Sequence, residues 1–228
     1  MTSPRFHSTP ADAVAETVRE TVIVEGRTFR LDRPAGLDKV FDHPAVRSAY
    51  AADEYIPYWT DLWAAGRMLA KVVLREKWAG TPAVLEVGCG LGLGGIAALS
   101  RGLSVTFSDV DETACGFAAA NARLNGFTHF RTLPLDLRSP PEGLTVPVVI
   151  GSDLMYEQRM VEPLALFLKA VLAPDGFALI TDPDRLAARS FRWQAGQAGL
   201  HVEAKPVRAG EPGGERIKGT LYRLTHAA

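Results

Sequence analysis

Four acids close apolar runs along the chain: Glu86 in "AVLEV", Asp109 in "SVTFSD", Asp136 in "FRTLPLD" and Asp153 in "VPVVIGSD". Just past the first run, Gly88, Gly90 and Gly92 begin a stretch holding five glycines between Gly88 and Gly95. Backbone without Cβ atoms can turn tightly and approach a ligand closely, beside the N-terminus of the helix that follows. Such a loop serves the pyrophosphate of a dinucleotide, an S-adenosyl ligand, or only tight strand-to-helix packing.

Glu86 separates these uses. A carboxylate in a buried strand end is costly and does nothing for a pyrophosphate, whereas it suits a cation or a donor. S-adenosylmethionine carries both an ammonium and a sulfonium. Asp109, about twenty positions after the glycines, stands where an acid takes both hydroxyls of a ribose, with Asp111 as the alternative or as a helix N-cap. This serves either cofactor. Asp136 and Leu137 fall where an adenine would lie, the acid accepting from its amine and Leu137 packing on its ring; an ordinary turn acid is the other reading. Asp153 leaves the sheet into the same crevice, and Tyr156 shares its side if the segment begins helically. A plain helix cap by Ser152 or Asp153 is the alternative. Upstream, Trp59 and Trp63 offer aromatic faces to a cation or pack an amphipathic helix.

These residues need elements to hold them. The helix carrying Leu62, Leu69, Val73 and Leu74 is read as capped by Thr60 or Asp61 and ending near Gly80 and Pro82. Strand-like and helical runs then alternate: "AVLEV", "SVTFSDV", "FRTLPLDL", "VPVVIGSD" and "FALITDPD" are separated by helices or loops, and "LHVEAKPV" and "IKGTLYRLTH" close the chain with only a loop between them. Alternation predicts a parallel sheet wrapped on both faces, and the short final connection predicts an antiparallel last strand. The expected fold is α/β, a Rossmann-like doubly wound seven-stranded sheet, mostly parallel with an antiparallel terminal strand. Before it, "ETVIVEGRTFRLDRP" reads as a hairpin turning at Glu25-Gly26 and bounded by Pro34. Residues 1–11 read as a mobile terminus on which nothing functional depends. The expected division is an extension over 1–58 and a single domain over 59–228.

With 47% apolar and 22% charged residues, the 228-residue chain can bury a sizeable core. Its formal charge of −1 gives no global reason to expect nucleic acid. From Arg185 onward eight Lys and Arg face three Glu, which is a solvated face or a match for an acidic protein partner. Two cysteines without CxxC spacing or a nearby His cluster suggest neither a disulfide framework nor a metal site, and fit a reducing cytoplasm. Neither a signal peptide nor a membrane-length apolar run is expected.

Taken together, "VLEVGCGLGLGG", "FSDVD", "PLDL" and "SDLMYE" resemble the motifs of class I, seven-β-strand S-adenosylmethionine-dependent methyltransferases, from about Tyr58 to the C-terminus. "PYWTDLWAAGRMLA", the Asp153-x-x-Tyr156 step and "TDPDR" resemble, more narrowly, the family sixteen group, which includes protein-lysine methyltransferases. The resemblance implies that Glu86, Gly88, Gly90, Asp109, Asp136 and Leu137 contact S-adenosylmethionine, with Gly92 in the same loop and Trp63 beside it. Asp153 and Tyr156 would face the acceptor, Asp153 orienting an amine. Leu154 and Met155 inside that step leave the acceptor open. The expected activity is N-methylation of a protein lysine. A small-molecule amine methyltransferase is the nearest alternative, then an NAD-linked oxidoreductase or a cofactor-binding module without catalysis.

Overall fold

The computed structural model of the chain describes residues 6–211 and 213–227. The chain begins with a hairpin of β1 (Thr17–Val24) and β2 (Arg27–Pro34), whose turn residues Glu25 and Gly26 have φ of 50° and 74°. Positive φ at both positions matches the twist of a two-residue hairpin loop. Alternation places Val22, Val24, Phe29 and Leu31 on one face, where they join the core on one side of the main sheet. Two short helices follow, α1 (Leu37–Asp42) and α2 (Pro44–Asp53).

The remaining elements alternate: α3 (Ala64–Arg75), β3 (Ala83–Val87), α4 (Leu93–Leu99), β4 (Ser104–Asp109), α5 (Glu112–Leu124), β5 (Arg131–Pro134), β6 (Val146–Ser152), α6 (Val161–Val171), β7 (Leu172–Asp182), α7 (Phe191–Gln197), β8 (Leu200–Ala209) and β9 (Ile217–His226). The seven-stranded sheet has the order β5-β4-β3-β6-β7-β9-β8. It is parallel from β5 to β7, while β9 runs antiparallel to both of its neighbours. The chain's last strand is therefore the antiparallel one, as the short connection required, but it lies inside β8 and not at the sheet edge. Val84 and Leu85 show the double winding directly, since one belongs to the core on one face of the sheet and the other to the core on the opposite face. Strand order reverses between β3 and β6, and a ligand crevice forms at such a point outside the carboxyl ends of the strands.

Several boundaries differ from expectation. α3 begins at Ala64 behind Trp63, with no side-chain cap. Thr60 instead closes a short 3-10 turn over Tyr58–Thr60, its hydroxyl donating to the Pro57 carbonyl, and the Asp61 carboxylate accepts from the Leu62 amide. Trp59 and Trp63 thus lie on separate elements. α3 also ends at Arg75, short of Gly80. β7 starts at Leu172, earlier than "FALITDPD", because Leu172 already pairs with Val146 before a register shift brings Phe177 opposite Val148.

The reading of residues 1–11 as a terminus without consequence is corrected for residues 6–11, while Met1–Arg5 lie outside the described residues. Thr9 is buried. The His7 amide donates to the Val110 carbonyl at 3.0 Å, and the Glu112 amide donates back to the His7 carbonyl at 3.0 Å. The physical reason is Asp111, which caps α5 through the Thr113 amide and also accepts from the Thr9 amide and hydroxyl. A buried carboxylate gathers donors, and here it draws the N-terminal strap onto the domain.

Candidate active site

A cavity of about 310 Å³ opens at the carboxyl ends of β3, β4 and β6. Ten residues singled out in the sequence line it: Trp63, Glu86, Gly88, Gly90, Gly92, Asp109, Asp136, Leu137, Asp153 and Tyr156. His7, Tyr55, Tyr58, Arg138 and Arg185 line it too, none of them assigned to the site from the sequence.

The loop from β3 to α4 forms one wall. Gly88, Gly90 and Gly92 have φ of 58°, 49° and 83°, conformations that side chains other than glycine's adopt at a cost. Packing adds to this at two of them. A Cβ on Gly88 would lie 2.4 Å from Cδ2 of Leu154, and one on Gly92 would lie 2.9 Å from Cβ of Ala118. Gly94 and Gly95 answer to Glu86: a Cβ on either would lie 2.4 Å or 2.6 Å from a Glu86 carboxylate oxygen.

Glu86 is 3% exposed, and its Oε2 accepts from the Gly95 amide at 2.9 Å. The first turn of α4 is thus its partner within the chain. Burial pushes its pKa up to about 8, with the Gly95 and Gly94 amides opposing the shift. Asp109 accepts from the Gly90 amide at 3.0 Å and the Asp111 amide at 3.1 Å, so it ties the glycine loop to β4. Burial raises its pKa to about 6 against those two amides. The sequence offered Asp109 and Asp111 as alternatives for one role; the structure divides the roles, Asp109 facing the cavity and Asp111 capping α5. Asp111 also accepts from the Tyr55 hydroxyl at 2.5 Å and from the Trp59 indole at 3.0 Å. Burial alone would raise its pKa, but hydrogen bonds led by Thr9 and Tyr55 hold it below the ordinary value. Trp59, 7% exposed and against Phe117, belongs chiefly to the core.

Asp136 is not the exposed turn acid of the alternative reading. It is 4% exposed and paired with Arg138 through Nε–Oδ1 and Nη2–Oδ2 contacts of 2.9 Å each. Leu137 is also buried on the cavity wall.

Another part of the lining is acidic and aromatic. Asp153 has φ 54°, and its amide donates to the Thr181 carbonyl at 2.9 Å. The segment does not begin helically, and neither Ser152 nor Asp153 caps a helix, since α6 starts at Val161 after a 3-10 turn over Gln158–Met160. Tyr156 reaches the cavity through a bend. Its ring lies 5.2 Å from that of Tyr58, which lies 6.1 Å from Trp63. Trp63 is fixed by its indole donating to the Tyr58 carbonyl at 2.7 Å. Arg185 pairs both its Nε and Nη2 with Asp153, at 2.7 and 2.9 Å. Opposite, His7 stacks on Tyr55 with ring centroids 3.7 Å apart. "TDPDR" carried the only sequence signal for Arg185; nothing in the polar terminus marked His7.

The profile of the family described as lysine methyltransferase matches residues 58–191. The electron transfer flavoprotein beta subunit lysine methyltransferase of Danio rerio is 31% identical over 134 residues, covering 57% of this chain and 51% of that protein. The protein of the same name from Xenopus laevis is 30% identical over 132 residues, covering 57% and 53%. The match thus spans about half the length of these relatives. Among solved structures, the ribosomal protein L11 methylase from Lactobacillus delbrueckii subsp. bulgaricus superposes with TM-score 0.58 at 19% identity, over 72% of this chain and 79% of that one. The TehB-like SAM-dependent methyltransferase from Corynebacterium glutamicum gives 0.54 at 18%, over 79% and 93%. The cyclase SpnF gives 0.57 at 15%, over 72% and 81%. These structures share the fold, and the cyclase among them shows that the fold alone does not choose the chemistry. The profile matches more than half of the chain and shows its family: the chain belongs to the lysine methyltransferase family.

Proposed function

We propose that the chain is an S-adenosylmethionine-dependent N-methyltransferase that modifies a lysine side chain of a protein. The observation that carries this reading is one cavity with two chemically different ends. At one end, positive-φ glycines and the buried acid Asp109 form a cradle that fits a nucleoside and its cationic tail. At the other, Asp153 stands among Trp63, Tyr58 and Tyr156, which suits an alkyl amine. The relatives' names point to the beta subunit of electron transfer flavoprotein as the first substrate to try.

In this reading Asp109 holds the ribose, Leu137 packs on the adenine, and Glu86, whose protonated form burial favours, is drawn back to its ionised form by the positive charge near the glycine loop. Arg138 competes with the adenine amine for Asp136, so that contact is shared. When bound, S-adenosylmethionine supplies a methyl group activated by its sulfonium. The chain's task is then alignment and exclusion of water. Asp153 orients the acceptor nitrogen, and the aromatic walls disfavour its charged form by desolvation. Residues 59–228 are the methyltransferase unit, and the residues before it complete the cavity with His7 and Tyr55. No helix among the described residues is long and apolar enough to cross a membrane. Cys89 and Cys115 are buried and unbridged, which supports a reducing compartment such as the cytoplasm.

The test is transfer of label from radioactive methyl donor to the purified flavoprotein beta subunit and to whole lysate, followed by amino-acid analysis. Label on protein lysine is expected. Label confined to the small-molecule fraction overturns the protein substrate and favours a small amine. Asp153→Ala separates catalysis from mere cofactor binding: transfer falls at least ~30-fold, as when a buried charged partner is truncated, while S-adenosylhomocysteine still binds by calorimetry. Unchanged transfer removes Asp153 from the mechanism.

A further inference from the structure

Arg185 lines the cavity beside Asp153, and the proposed chemistry assigns it no task. Its guanidinium lies against both carboxylate oxygens of Asp153 and 5.6 Å from the centre of the Trp63 ring. An acid beside an aromatic face is what a protein presents to an alkylammonium. Arg185 therefore sits where the acceptor's own cation would dock.

Behind it, Asp182 ends β7. It is fully buried; its Oδ1 accepts from the Arg185 amide at 2.7 Å, and its Oδ2 has no hydrogen-bond partner among the described residues. A buried carboxylate oxygen without a donor is unfavourable. Burial, offset by the Arg185 amide, and the nearby Asp153 charge push the Asp182 pKa up to about 6. The backbone of Arg185 is thus tethered beside an acid that lacks a donor, while its guanidinium serves a different acid.

We propose that Arg185 is a positioning residue that holds Asp153 as a stand-in for the acceptor cation, yields the carboxylate when the acceptor's ammonium arrives, and transfers its guanidinium to Asp182. The inference rests on the reading of Asp153 as the acid that faces an amine. The mobile partner is Arg185, because its side chain is 35% exposed on a long stem, whereas that of Asp153 is 8% exposed with its amide fixed to Thr181. The exchange leaves each carboxylate with one cation, including Asp182, which lacks one beforehand. It also explains how a bidentate ion pair can occupy a substrate site without closing it.

The experiment follows the arginine Nε–H signals of the 15N-labelled full chain as n-butylammonium chloride, a lysine side-chain mimic, is added; Arg185→Lys assigns the signal. Saturation is expected to shift the Arg185 resonance. Arg185→Gln removes the competing cation, and n-butylammonium then binds about fivefold more tightly, the upper range for a partly exposed ion pair. Asp182→Asn keeps the acceptor for the Arg185 amide but loses the charge that receives the guanidinium, so binding weakens at least about fivefold, since a buried pair broken at one partner loses more than an exposed one. During turnover on a labelled protein, these variants move KM in the same opposite directions with little change in kcat. An Arg185 signal unmoved while the Asp153 amide reports binding overturns the inference, as does weaker binding by Arg185→Gln, which would make Arg185 a mere prop. No binding by either protein also overturns it. Should Arg185→Gln not fold, the sign for Asp182→Asn decides alone. The titration needs no turnover: transfer with a static Arg185 defeats this inference and leaves the functional reading standing, whereas absent transfer with a shifted Arg185 signal defeats the methyl transfer and leaves the amine site standing.

Discussion

Gly95→Ala sets helix propensity against packing, and the two predict opposite signs. In a helix interior alanine is favoured over glycine by about 1 kcal/mol. Gly95 lies within α4, so propensity alone makes this variant more stable. A Cβ at that position, however, would lie 2.4 Å from Cε1 of Phe107 and 2.6 Å from Oε2 of Glu86. Phe107 is fully buried, with Phe130 edge-on at 5.6 Å, and has nowhere to turn. Forcing a methyl into such a core costs about 1–3 kcal/mol. Driving the Glu86 carboxylate off the residue 95 amide adds about 1–3 kcal/mol for a buried acceptor left unpaired. After subtracting the propensity gain, the net loss is about 1–5 kcal/mol, centred near 3. Urea unfolding followed by far-UV circular dichroism reads this as a lower midpoint with an unchanged slope. The double variant Glu86→Ala, Gly95→Ala removes one of the two obstacles, so the cycle should show a coupling of about 1–3 kcal/mol. A Gly95→Ala protein as stable as wild type, or an additive cycle, would refute the account of why these glycines adjoin Glu86.

The same carboxyl predicts how stability depends on pH. Its pKa in the folded chain, about 8, lies above the ordinary 4.5, so folding favours the protonated form. The contribution is complete below pH 4.5 and is lost as pH rises toward 8; Asp109 acts in the same direction between 3.8 and about 6. Urea midpoints of wild type and Glu86→Gln across this window should diverge, the variant showing the shallower decline; parallel profiles would dismiss the burial argument. Asp111→Ala removes the acceptor for Thr113, Trp59, Tyr55 and Thr9 at once. Loss of a cap together with stranded buried donors gives roughly 3 kcal/mol of destabilisation. The strap over residues 6–11 should also become a site of early proteolytic cleavage, and cleavage there at the wild-type rate would contradict its anchoring by Asp111.

The sheet was legible because its strands announce themselves locally. "AVLEV" and "VPVVIGSD" are short apolar runs bounded by turn residues, and their alternation with helices requires crossovers. Where the reading failed, the deciding contact was distant or the backbone irregular. Thr60 and Asp61 are good capping residues, yet an extended Asp61, with φ −126°, separates Trp59 from α3. The early start of β7 depends on Leu172 meeting Val146 across the sheet, which no window around "APDG" contains. Residues 6–11 look like a free terminus by composition, because their order comes from Asp111, about a hundred positions away.

The site divides along the same line. Its glycine end is built from sequence neighbours: Glu86 bonds the amide of Gly95, and Asp109 the amides of Gly90 and Asp111 in the adjoining strand and loop. A motif can encode such an arrangement because the groups travel together along the chain. Its acidic end is assembled by tertiary pairing, with Asp153 meeting Arg185 from the end of the next strand and Trp63 arriving from before α3. Spacing found Asp153 and Tyr156, but the cation already occupying Asp153 could be seen only once β6 and β7 lay side by side. Asp153 and Tyr156 share one local step, but the partners that surround Asp153, Arg185 and Trp63, come from separate stretches of the chain, so the Asp-x-x-Tyr spacing by itself does not show what stands opposite its acid.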